Sequence, residues 1–141
     1  MSSNALPASS TPKGWNLSFW ILQVLLAAMF GMAGAMKSTA PIEQLGKSLP
    51  WVLQSPVALV RFIGISELAG ALGLILPAAT RIAPFLTPLA AAGLTVVMVL
   101  AVGFHVMHGM AATLGVPVVL GLLTAFVAWG RFVKAPISPR S

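Results

Sequence analysis

Four apolar runs, each near the roughly 20 residues a helix needs to cross a bilayer, alternate with short polar connections along the chain. They cover residues 17–36, 57–76, 84–105 and 114–132. Four runs without a fifth predict an all-α fold: an integral membrane four-helix bundle with its N and C termini on the same side. The connection at residues 78–83 is too short to do more than turn, so the second and third spans must be antiparallel neighbours. Proline punctuates the pattern. Pro56, Pro84 and Pro117 sit at or near predicted first turns, where a missing N–H costs least, and Pro77 marks the expected end of the second span. Pro88, one turn inside the third span, is placed to bend its entry.

Smaller features refine this outline. Ala27, Gly31 and Ala35 recur every four residues in the first span, a smooth stripe against which another helix packs closely. In the second span Glu67 shares a face with Gly64 and Ala71, while Ser66, Gly70 and Gly73 form a small-residue track beside it. The polar connection 37–55 contains a segment suited to a short interfacial helix, with Leu45, Leu49, Trp51 and Val52 expected to face lipid. Residues 1–16, rich in Ser, Pro and Ala, read as a mobile tail. A transmembrane domain over 17–133 and a C-terminal tail over 134–141 complete the division. Ala33-Gly34-Ala35 also fits a signal-cleavage site. The length of the preceding run and the single Lys before it argue against that alternative.

Composition fixes the compartment. Of 141 residues, 58% are hydrophobic and 7% charged, against about a quarter charged in soluble domains. The net charge of +6 is spread near the ends of the runs, a pattern that suits anionic headgroups. No basic, water-exposed face can be built, so nucleic acid is excluded as a partner and the lipid bilayer is the expected one. The chain has no Cys, which removes disulfides, thiolate catalysis and zinc-thiolate sites.

Lys and Arg also orient the bundle. Lys13, Arg81, Arg131, Lys134 and Arg140 fall on the face of the termini, and Lys37, Lys47 and Arg61 on or near the other. The excess places both termini in the cytoplasm, with Trp15, Trp20 and Trp129 at that interface and Trp51 at the opposite one.

Candidate chemistry gathers in the half away from the termini. Lys37 ends the first span, Arg61 is one turn into the second, Glu67 lies near the midplane, and His105 closes the third. Lys37 and Arg61 are long enough to snorkel to the headgroups. Glu67 is not, and must be protonated, hydrogen-bonded or ion-paired in the interior. Six positions separate Arg61 from Glu67, about 120° around a helix, so Glu67 needs a partner from another element, with Lys37 and His105 the candidates. These four are the candidate ligand-binding residues, against the bland alternative of a polar clasp between helices. His105 and His108 alone make no metal site, because the usual sites take three or four ligands. No catalytic constellation, phosphate loop or nucleotide fingerprint is present.

The stretches FGMAGAMK, RFIGISELAGALGLILP, TPLAAAGL, AVGFH and AWGRF, spread from Trp20 to Phe132, resemble the DoxX-like family of small four-helix membrane proteins. The most specific part is the series Arg61, Gly64, Glu67, Gly70, closing on Gly73 and Pro77. The resemblance implies the four-helix membrane fold. It further implies an association with quinone-linked oxidoreductase complexes, after the sulfur-oxidation subunit for which the family is named; without Cys, thiol redox roles do not carry over. Two function classes follow. One is a redox-associated subunit, at most part of an oxidoreductase complex, that binds a quinone or other small ligand near Glu67 and docks a partner protein. The other is a non-enzymatic assembly factor or small carrier, which as a carrier would need a homodimer.

Overall fold

The computed structural model describes residues 12–140; the first eleven residues and Ser141 lie outside it, and with them most of the expected mobile tail. Helix α1 spans Lys13–Thr39, α2 Ile42–Ser48, α3 Val57–Thr80, α4 Leu86–Met107 and α5 Gly115–Trp129. A 3₁₀ turn, Pro50–Gln54, joins α2 to α3, and a second, Ala111–Thr113, precedes α5. The last helix continues as one wide π turn, Gly130–Lys134. Four of these elements are long and apolar enough to cross a membrane: α1, α3, α4, and α5 with its π turn. They pack in the cyclic order α1, α3, α4, α5, with α5 returning to α1. Four crossings bring both chain ends to one face.

Membrane packing explains the distribution of residues. Lipid is as apolar as Leu, so large side chains gain nothing by hiding, and close backbone approach holds the helices instead. Leu25, Met32, Phe62, Ile65, Leu72, Leu100 and Leu122 accordingly face outward. A narrow core of Phe19, Leu26, Phe30, Leu74, Ala91, Leu94 and Val127 runs through the middle. The tightest seam joins α1 to α3. A Cβ added at Gly34 would stand 2.7 Å from the Gly64 carbonyl oxygen and 2.8 Å from the Leu68 nitrogen. Gly31 meets Ala71 beside it, whereas Ala35 turns to the outside, so the seam centres on Gly34 and lies off the stripe expected from Ala27, Gly31 and Ala35. Gly70 and Gly73 take Leu94 and Ala90 of α4, as a small-residue track should; Ser66 only returns its hydroxyl to the Phe62 carbonyl.

Several expected boundaries shift. α1 starts at Lys13 and takes in Lys13–Asn16, which the sequence assigned to the tail. Pro77 lies inside α3, which continues to Thr80 and is capped by Arg81 in the left-handed region (φ 59°), its N–H on the Pro77 carbonyl. A proline there deprives the Gly73 carbonyl of its helical donor. The Thr87 hydroxyl of α4 donates to that oxygen at 3.0 Å, which is how membrane helices accommodate an internal proline. α4 begins at Leu86 and ends at Met107, two residues later at each end than the apolar run. Residues 138–140 of the tail are tied to the α3–α4 turn: the Arg81 side chain donates to the Ser138 and Pro139 carbonyls, and the Arg140 N–H to the Arg81 carbonyl.

The connection between α1 and α3 requires a correction. Leu45 and Val52 were expected to face lipid; both are buried, in a satellite cluster with Val60. The 3₁₀ turn folds the segment back on itself, so Leu53 packs over Gly46 and the apolar side of α2 closes against the start of α3. This cap covers the end of the bundle where the candidate residues lie.

Candidate functional site

The site is assembled by the α1–α3 seam. Because Gly34 and Gly64 let the two antiparallel backbones touch, the end of α1 at Lys37 and Ser38 lies against Gly64, and the long Lys37 side chain runs back along the seam to Glu67, one turn further along α3. Lys37 Nζ donates to both carboxylate oxygens of Glu67, at 2.8 and 2.9 Å. The side chains are 11% and 1% exposed. Lys37 therefore does not snorkel to the headgroups; it is the counter-ion of the one acid that cannot reach them. Among the described residues this is the single ion pair.

Arg61, half-buried, reaches across the same seam. Its Nη1 donates to the Lys37 carbonyl at 2.9 Å, a group left without a helical donor near the end of α1. Arg61 therefore fixes the end of the helix that carries Lys37 and leaves the carboxylate alone. Ser38, the next residue, has a buried hydroxyl with no hydrogen-bond partner among the described residues. It lies against Gly64, where an added Cβ would come 2.7 Å from the Ser38 nitrogen and hydroxyl oxygen.

One aromatic residue flanks the pair, and a second packs behind it. The Lys37 ammonium stands 5.7 Å from the centre of the Trp51 ring, within cation–π range. Trp51 in turn meets Phe104 of α4 edge-on at 6.2 Å. His105 is buried, and its Nδ1 pairs with the Ala101 carbonyl at 2.7 Å. His108 makes the same bond one turn on, to Phe104, and stacks on that ring at 3.9 Å. Of the two candidate partners of Glu67, the structure pairs it with Lys37; His105 makes its bond on its own helix. No group of three or more His, Asp or Glu able to hold a metal occurs among the described residues. Further along the α1–α3 seam, on its lipid-facing side, runs a shallow apolar groove of about 370 Å³ lined by Gly31, Leu68, Ala71, Leu72 and Ile75; neither Lys37 nor Glu67 lines it.

A second polar centre lies at the opposite end, and sequence reading counted its key residue as a surface charge. Arg131 is 2% exposed. Its Nε donates to Gln23 Oε1 at 2.6 Å, and its Nη1 to Asn16 Oδ1 at 2.9 Å and to the Ala135 carbonyl at 3.0 Å. Gln23, fully buried, spends its amide N–H on the Leu74 carbonyl of α3 at 2.7 Å. The signal was present in the sequence: Gln23 is the lone amide inside the first apolar run. What turned Arg131 inward is the π turn, which widens the last coil and aims that side chain at α1.

Neither a curated protein nor a solved structure matched the chain. A family model did, over residues 21–127, which takes in both sides of the α1–α3 seam and the Lys37–Glu67 pair but ends before Arg131. With the four-helix architecture and that match together, the chain belongs to the DoxX-like family.

Proposed function

We propose that this protein is a membrane subunit that binds a small lipid-soluble ligand, a quinone in the first instance, beside the Lys37–Glu67 pair and serves a redox partner. One observation carries the reading: a charge pair is closed inside the membrane half of the bundle, where a well-packed apolar pair would hold the helices at least as well. Intramembrane ionisable groups mark functional sites by default. The surroundings suit a quinone. Trp51, backed by Phe104, offers an aromatic surface, Lys37 and the Ser38 hydroxyl offer donors for carbonyl oxygens, and the apolar groove further along the same seam offers a course for a hydrocarbon tail.

The position of Trp51 supplies the test. With Trp15, Trp20 and Trp129 replaced by Phe, a short-chain quinone should quench Trp51 saturably in detergent, and Phe104→Ala should weaken that binding about tenfold while the helical signal stays unchanged. Quenching no greater than that of a free tryptophan analogue in the same micelles would refute the reading.

A second reading has its own support. The carboxylate is saturated by Lys37 alone, as a structural clasp in an assembly factor or carrier would be. It predicts a stable partner complex or solute flux without any redox change.

The orientation proposed for this function has both termini in the cytoplasm. Lys13, Arg81, Lys134 and Arg140 are exposed on the terminal face, while Lys37 is withdrawn into its ion pair. That leaves Lys47 and the half-buried Arg61 opposite, and the excess follows the positive-inside rule. A cysteine at Ser3 should react with an impermeant maleimide only after lysis; labelling in intact cells reverses the assignment.

A further inference from the structure

Arg131 holds an unmet charge. Of the five N–H donors of its guanidinium, the one on Nε and the two on Nη1 are used. Nη2 is buried and has no hydrogen-bond partner among the described residues. Every acceptor it does have is neutral: an Asn, a Gln and a backbone carbonyl. The chain has only two acidic side chains. Glu67 is closed on Lys37, and Glu43 lies in α2 at the other end of the bundle. No carboxylate side chain of this protein can therefore neutralise Arg131. The rings of Phe19 and Trp20 stand 5.5 and 5.9 Å from the guanidinium carbon, which offsets part of the charge but offers Nη2 no acceptor.

We propose that Arg131 is the centre of an anion site that takes a phosphate oxygen on Nη2. A phosphate oxyanion supplies what the fold lacks there, an acceptor and a negative charge together, and a guanidinium fork is the side chain best matched to it. The setting is the headgroup layer. Arg131 lies three residues before the end of the last span, among exposed Trp15 and Trp129, whose rings meet edge-on at 6.4 Å. Lys134 stands 5.0 Å from the Trp15 ring, and Trp15 stacks on Phe19. Trp15 and Lys134 are both exposed, and an outward turn of these two admits the anion and brings a second cation onto it. The site is independent of the ligand proposed at Glu67, being at the opposite end of the bundle.

The phosphate can belong to an anionic phospholipid or be free in solution, and one experiment separates the two. The full chain, delipidated in a mild detergent, is titrated with phosphatidylglycerol, phosphatidylcholine or inorganic phosphate, and bound species are counted by native mass spectrometry. The expected result is one tightly held phosphatidylglycerol, at least tenfold weaker in Arg131→Gln and unchanged in Lys47→Gln at the other face. Retention of inorganic phosphate alone, with the same dependence on Arg131, keeps the site and assigns it a soluble anion. Because Arg131 also holds Gln23, the wild-type guanidinium is followed in parallel by ¹⁵N NMR, where the Nη2 signal should move on titration. An Nη2 signal that stays still, no bound species of either kind, or equal loss in Lys47→Gln overturns the proposal.

Discussion

Glu67→Gln is expected to destabilise the bundle by about 3–5 kcal/mol, the cost of leaving one member of a buried ion pair without its counter-charge. The acceptor that remains is a single neutral amide oxygen, and the Lys37 ammonium, held inside by the α1–α3 seam, must lose its proton or pull free toward the surface. The companion result decides what the pair is for. Lys37→Met combined with Glu67→Met removes both charges and leaves apolar chains of similar length, so the double variant should recover most of the loss and unfold near the wild-type midpoint. Unfolding in a graded mixture of mild detergent and dodecyl sulfate, followed by helical circular dichroism, measures both. If the double variant folds and still binds quinone with wild-type affinity, the pair is only a clasp. If the single variant is as stable as wild type, the ion pair is not closed as described.

Gly34→Leu should be as damaging, through geometry and not charge. At this position the first side-chain carbon already meets two backbone atoms of α3 at 2.7 and 2.8 Å. A flexible side chain yields to such contact, but a helical backbone does not. The helices must separate, forfeiting the close approach that membrane packing depends on, and Lys37 is carried away from Glu67 with them. A loss of about 3 kcal/mol, the upper end of overpacking costs, is the expected result. Gly93→Ala and Gly103→Ala are the controls. Nothing lies within 4 Å of a Cβ at either glycine of α4, and both should leave the unfolding midpoint unchanged or slightly raised. Equal damage at Gly34 and Gly93 would show that the seam is not the tight one.

Much of the fold was legible because membrane helices obey a one-dimensional rule. Backbone groups inside lipid must bond within their own helix, so a run of about 20 apolar residues has one available structure. The number of spans, the antiparallel turn after the second and the common side of both termini follow from that alone. Glu67 was legible as an anomaly for the same reason: a short carboxylate at that depth has no exit. Its partner was readable only as a short list, Lys37 or His105.

The choice between them belonged to the tertiary structure. It turned on which glycines touch, since the Gly34–Gly64 contact brings the end of α1 close enough to α3 for the Lys37 side chain to reach Glu67, and small residues elsewhere in the same helices would have served a sequence reading equally well. Leu45 and Val52 were misjudged because a short 3₁₀ turn reverses the connection, and no periodicity within seven residues of helix records such a reversal. Arg131 was misjudged because the positive-inside rule counts a basic residue near a span's end as surface charge, while a single π turn is enough to bury it. The sequence by itself determined a four-helix membrane bundle with an acid that must be paired, because solvation in lipid leaves no alternative. Only tertiary contact decided its partner and showed a second, unneutralised charge at the other end, because close packing between helices depends on rotation and register that hydrophobic patterning does not encode.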